Sequence, residues 1–175
     1  MSQIQSIIQR IFGNHKLPTD LSGEEYEKFM QNNIPQWMKE FEDSGFLEKT
    51  KLPVIQSEEE FIDKLLEHRN DLMVIKYWKH GCIPCLAFAE MYKAAAEAFA
   101  KDASPNAKRV FWYSVDTKAL STWQLVEYQL ISGTPTIQTF ANQKQCDDEI
   151  KATNMDDLMR EIRRRAEKGS QNPYT

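Results

Sequence analysis

The chain is short of the features that mark several protein classes. It has three cysteines, three histidines, six glycines and seven prolines in 175 residues. Three unevenly placed cysteines do not make a secreted disulfide framework, and the N-terminus lacks the apolar core of a secretory signal. A reducing or redox-buffered intracellular setting is expected. The longest uninterrupted apolar stretches, Leu72–Ile75 and Cys85–Ala89, fall far short of the roughly 18–20 residues that cross a bilayer. There is no internal repeat and no second cysteine pair, and His15, His68 and His80 stand apart from one another. A zinc site needs further ligands at close spacing, so no metal is expected. The net charge of −4 offers no general attraction to a polyanion.

What is present reads as one compact domain with an extension. Hydrophobic residues make up 41% and charged residues 27%, a globular mixture able to bury a core. Charge is unevenly distributed. Residues 1–19 contain Arg10 and Lys16 but no acid, residues 20–60 carry 11 acidic and 4 basic side chains, and Leu158–Lys168 carry 5 basic and 2 acidic.

Ile4, Ile7, Ile8, Ile11 and Phe12 recur at helical spacing, which predicts an amphipathic first helix ending near Gly13. Its basic, acid-free character fits either a mitochondrial targeting segment or a helix docked on its own domain or on a partner. Ser22-Gly23-Glu24-Glu25 has the form of a capping box and predicts a second helix that stops before Pro35. Trp37, Met38 and Phe41 predict a short third helix closed by Gly45. Residues 1–50 therefore form a helical extension rich in large apolar side chains, suited to packing or interaction.

From about Leu52 short strands alternate with helices, giving an α/β unit over residues 51–168. Strands are expected at Leu52–Gln56, Leu72–Trp78 and Val110–Val115, and helices after Ser57, after Pro84 to about Lys101, and over Thr117–Gln129. Thr136–Phe140 and Gln145–Ile150 flank Asn142-Gln143 as a hairpin. Asn154 caps a last helix, and residues 169–175 read as a polar tail. Trp78, Trp112 and Trp123 are expected in the core.

The chemistry-bearing constellation is Cys82-Ile83-Pro84-Cys85, directly after a strand and at the start of a helix. Spacing of three on a first helical turn brings two sulfurs to one face, close enough to join. Cys82 lies at the helix end, where free N–H groups and the positive end of the helix dipole favour its thiolate as the nucleophile. Cys85, one turn inside, is the resolving thiol. Acidic neighbours Asp147, Asp148 and Glu149 disfavour the thiolate of Cys146, which reads as an unreactive strand-end thiol.

Taken with Val74-Ile75-Lys76-Tyr77-Trp78 before it and Gly133-Thr134-Pro135-Thr136 about 50 residues after it, the motif resembles the thioredoxin superfamily, from roughly Leu52 to Glu167. The resemblance implies a thioredoxin-like fold, a mixed central sheet flanked by helices. It also implies a cis peptide bond at Pro135 beside the cysteine pair, and pairing of a substrate strand with the backbone of Thr134. Two departures stand out. Gly81 replaces the family's tryptophan and Ile83 the glycine of the motif, and Lys76 occupies the strand position where the family carries a buried acid.

If Lys76 is buried, desolvation depresses its pKa, so it serves either as a base for Cys85 or as a charge stabilising a thiolate. The competing reading places its stem in the core and its ammonium in water. His80 either lowers the pKa of Cys82 or is an exposed loop residue. The expected activity is thiol–disulfide exchange on protein disulfides, with no cofactor beyond the Cys82–Cys85 disulfide. The alternative is a redox-regulated chaperone, or a subunit or assembly factor of a larger mitochondrial complex engaged through residues 1–50. The acid-free start points to the mitochondrial matrix, with the cytoplasm as the alternative. Nucleic acid is not an expected partner, except through a weak basic stripe, Arg160, Arg163, Arg164, Arg165 and Lys168.

Overall fold

The computed structural model describes residues 2–151 and 153–171, the side chains of 170 and 171 excepted. The extension is helical. Helix α1 (Gln3–Phe12) starts at Ser2, whose hydroxyl accepts the Gln5 N–H while the Gln5 side chain accepts the Ser2 N–H, two orphan donors satisfied reciprocally. Helix α2 (Gly23–Phe41) starts at Ser22, whose hydroxyl accepts the Glu25 N–H without the reciprocal bond.

The break expected at Pro35 is absent, because α2 runs through it. An internal proline costs about 3 kcal/mol. Full burial of a large apolar side chain returns about 1.5–3 kcal/mol, and this helix buries both Trp37 and Met38, with Phe29, Ile34 and Phe41 packed beside them. Packing therefore outweighs the local preference. The chain then widens into a π-type turn, Glu42–Phe46, and reverses at Gly45, whose φ of +106° favours a residue without a Cβ. A single turn, α3 (Leu47–Lys49), follows and ends where the Thr50 hydroxyl donates to the Phe46 carbonyl at 2.9 Å.

Beyond the extension come α4 (Glu58–Glu67), β1 (Leu72–Trp78), α5 (Ile83–Lys101), β2 (Val110–Asp116), α6 (Trp123–Tyr128), β3 (Thr136–Ala141), β4 (Lys144–Gln145) and α7 (Met155–Gln171). The sheet order is β2-β1-β3-β4, with β2 parallel and β3 antiparallel to β1. This is the mixed, helix-flanked sheet that the resemblance implies.

Four local expectations change. The strand expected at Leu52–Gln56 is a single parallel bridge, Val54 to Ser114, because Pro53 has no N–H to extend a ladder. The helix expected over Thr117–Gln129 shrinks to α6, six residues after a 3₁₀ turn. So short a helix buries one side, that of Leu125, and leaves Trp123 51% exposed rather than in the core. The hairpin turns at Asn142 and Gln143, both left-handed (φ 56° and 65°), as a two-residue turn between twisted strands requires. Its return strand is two residues long, and a bridge from Ile137 to Ile150 resumes the pairing after left-handed Asp147 interrupts it. Helix α7 continues to Gln171, into the expected polar tail, and residues 172–175 lie outside the described residues.

Side chains alternate across a strand, which sorts β1 between two cores. Leu72 and Val74 face α5 and α7, where they meet Tyr92, Phe99, Leu158 and Ile162. Met73, Ile75 and Tyr77 face α4 and α6, where they meet Phe61 and Leu125. Lys76 has the parity of Leu72 and Val74, which turns it toward the helix that carries the cysteines. A third core joins Ile7, Ile11, Trp37, Met38 and Phe46 of the extension to Leu86 and Ala89 of α5, so residues 1–50 lie directly on that helix.

Candidate active site

Strand β1 delivers Lys79, His80 and Gly81 into a loop, and Gly81 takes a φ of +70°, which a residue without a Cβ adopts freely. Cys82 then caps α5. Pro84 sits in the first turn, where its missing N–H is no loss. The Cys85 N–H donates to Cys82 Sγ at 3.2 Å, a contact that favours negative charge on that sulfur. Cys82 and Cys85 are joined in a disulfide, their Cα atoms 5.2 Å apart, and both residues are buried.

Across from the pair, the Thr134–Pro135 peptide bond is cis. Cys82 Sγ lies 3.7 Å from the Thr134 carbonyl and 3.5 Å from its hydroxyl. Thr136 fixes this loop by donating its hydroxyl to the Gly133 carbonyl at 2.6 Å and accepting from Lys151 Nζ at 2.8 Å. Cys82, Cys85, Thr134 and Pro135 thus converge.

Lys76 is 7% exposed. Burial, with a smaller contribution from the nearby Lys93 ammonium, pulls its pKa from 10.5 down to about 8. It shares a mainly apolar cavity of about 220 Å³ with Cys85, Leu86 and Trp78, closed on one side by Leu47 of the extension. Lys76 and Cys85 therefore line one space.

His80 meets neither sulfur among the described contacts. Its Nδ1 lies 2.7 Å from Glu42 Oε2, and its Nε2 faces Asp116 at 3.9 Å. Glu42 is a residue that sequence reasoning missed. It comes from the extension, is 4% exposed, and its Oε1 accepts the Gly81 N–H at 2.9 Å. A signal for it exists, since Met38, Glu42 and Phe46 recur every four residues and place an acid on a buried helical stripe.

Cys146 lies at the end of β4 and is in no disulfide. Burial, then the Asp147 carboxylate, pushes its thiol pKa up. The basic stripe on α7 is engaged within the chain. Arg165 is buried and donates to the Thr139 hydroxyl and the Asp148 carbonyl. Arg164 pairs with Asp147 and Glu161, Lys168 with Asp147, and Arg160 with Asp157. Arg163 faces Asp102 at 3.9 Å.

A model of the Thioredoxin family matches residues 53–164, more than half of the chain. The chain belongs to the thioredoxin family. Among solved structures, the thioredoxin of Malassezia sympodialis is 24% identical, with 66% of this chain and 91% of that one covered at a TM-score of 0.50. Plasmodium falciparum thioredoxin is 20% identical, covering 66% and 99% at 0.52. Fasciola hepatica thioredoxin is 18% identical, covering 65% and 99% at 0.55. These likenesses show the fold. No curated protein matches the sequence. This thioredoxin-family chain therefore carries the disulfide-forming cysteine pair of thiol–disulfide exchange, with a lysine on the strand beneath it and a carboxylate reaching in from residues outside the family match.

Proposed function

We propose that the protein exchanges thiols and disulfides on protein clients through Cys82 and Cys85. The observation that carries this reading is the Cys82–Cys85 disulfide at the N-terminus of α5, with Thr134 alongside it. In the reduced protein the Cys82 thiolate attacks one sulfur of a client disulfide. That bond breaks, and the leaving sulfur takes a proton from solvent. Cys85 gives its proton to the neutral amine of Lys76 and attacks Cys82 Sγ, which breaks the mixed disulfide; the second client sulfur leaves as a thiolate and takes a proton from solvent. The client is reduced, the cysteine pair is oxidised, and an external dithiol resets it. Thr134 and Pro135 hold the client backbone beside Cys82.

The test is a trap. With Cys85→Ser, the mixed disulfide through Cys82 is not resolved and should appear as discrete adducts on a non-reducing gel. An empty gel, with Cys82 shown to be free and alkylatable, overturns the proposal.

A second reading, client holding or assembly, is favoured by apolar side chains left in water. Leu120, Tyr128 and Leu130 are 90%, 78% and 82% exposed, on the segments leading into the Thr134 loop. The mitochondrial assembly role belongs with this reading. It predicts that suppression of client aggregation survives replacement of both cysteines, whereas disulfide reduction does not.

A further inference from the structure

The cavity beside Cys85 contains a charge for which the described residues supply no partner. Lys76 makes no hydrogen bond or ion pair among the described residues, although it is 7% exposed. The residue is buried while its amine borders the cavity, and the neighbouring charge that acts on it has the wrong sign. That neighbour, Lys93, lowers the Lys76 pKa by repulsion and is itself tethered to the Lys51 carbonyl at 2.8 Å. Neither cavity-lining hydroxyl is bonded to Lys76: Ser114 donates to the Leu52 carbonyl at 3.4 Å and Thr50 to that of Phe46 at 2.9 Å. Glu48, the acid on the cavity rim, is exposed and forms no ion pair with Lys76.

We propose that this cavity binds a small straight-chain monocarboxylate, with its carboxylate on Lys76 and its alkyl chain against Trp78, Leu86 and Leu47. Charge complementarity selects the head group. One buried cation matches one negative charge, whereas a phosphate would leave a second charge desolvated. The walls select the tail, because they are mainly apolar. Size sets the length: about 220 Å³ is below the roughly 300 Å³ at which sites for drug-sized ligands begin, so a nucleotide is too large. Because Cys85 lines the same space, a bound acid keeps Lys76 protonated and slows the release step; this consequence rests on the redox reading, but binding does not.

The experiment is a calorimetric titration of the oxidised full chain with sodium hexanoate at pH 7, and in parallel with 1-hexanol, which has the same chain without the charge. Hexanoate is expected to bind saturably at a single site, about tenfold or more tighter than hexanol, a difference of about 1.4 kcal/mol. Lys76→Met is expected to abolish that preference while keeping native circular dichroism. Ala89→Leu, which fills the cavity and keeps the lysine, is expected to abolish binding of both ligands. Hexanoate affinity should fall from pH 7 to pH 9.5 as Lys76 loses its proton. The other charged groups around it are Glu48, Lys51 and Lys93, so pH dependence that persists in Lys76→Met overturns the assignment. No saturable hexanoate binding, or equal binding of hexanol, also overturns it. Mixed-disulfide trapping by Cys85→Ser is scored separately, so failure of the redox reading and failure of this site are distinguishable.

Discussion

Glu42 accepts the backbone N–H of Gly81 at 2.9 Å, so a carboxylate from the helical extension holds the residue immediately before Cys82. The other carboxylate oxygen holds His80; Glu42 is buried, whereas His80 and Gly81 are exposed. A hydrogen bond to a charged group contributes about 1.5–3 kcal/mol, and water at exposed Gly81 and His80 replaces part of it, which sets that range as the upper bound. Glu42→Ala should therefore lower stability by up to that amount in urea unfolding and speed amide exchange at Gly81 and Cys82. Glu42→Gln, which keeps an acceptor for Gly81, should lose less. Equal effects of the two substitutions would argue against the hydrogen bond as the cause.

Lys76 makes stability depend on pH in an unusual direction. Its folded-state pKa of about 8 lies below the ordinary 10.5. Between those values the unfolded chain holds a proton that the folded chain has lost, so stability rises as pH increases through that window. The gain reaches about 3 kcal/mol at most. Tyrosines oppose it above about pH 10, because burial pushes Tyr92 up to about 12 and Tyr77 up as well, and the folded chain then holds protons that the unfolded chain releases. Chemical unfolding from pH 7 to 10 should show stability rising. In Lys76→Met the rise should vanish and the pH 7 value should increase, since no charge is buried. A flat wild-type profile would place the ammonium in water.

The three sulfurs should separate by reactivity. Cys82 Sγ accepts the Cys85 N–H at the helix terminus, a contact that favours the thiolate once the disulfide is reduced, whereas burial and Asp147 raise the pKa of Cys146. Mass-spectrometric alkylation near pH 7 should modify Cys82 first and Cys146 slowly. Faster modification of Cys85 than of Cys82 would reverse the assignment of nucleophile and resolving thiol.

What was legible in the sequence was carried by local signals. Cys82 and Cys85 one turn apart, Asn142-Gln143 between β-prone runs, and Ser22 and Asn154 as caps all act within a few residues, and the structure has each in that role. The misreadings concern positions where packing decides. Pro35 stays inside a helix because Trp37 and Met38 are buried on it, and Trp123 faces water because α6 is one short segment with Leu125 turned inward. Glu42 lay beyond a local reading for another reason. Its partners Gly81 and His80 are 39 and 38 residues away, and only the docking of the extension brings them together.

That docking is itself testable, because it rests on a few side chains. Ile7 and Ile11 are each 2% exposed and insert into the core that Trp37 and Phe46 form with Leu86 and Ala89 of α5. Arg10 adds an ion pair to Glu90, but both side chains are nearly half exposed, and such pairs contribute about 0–1 kcal/mol. Truncating a buried isoleucine to alanine costs about 2–5 kcal/mol. Ile11→Ala should therefore release the extension well before Arg10→Ala does, as limited proteolysis between residues 13 and 50 would show. Since Glu42 travels with the extension, Ile11→Ala should also speed amide exchange at Gly81, more than 60 residues away, while a truncation of similar cost on the far side of the sheet, Phe61→Ala at about 3–5 kcal/mol, should not. If both variants loosen Gly81 alike, the extension and the active-site loop are coupled only through global unfolding, and the Glu42 contact is not what links them.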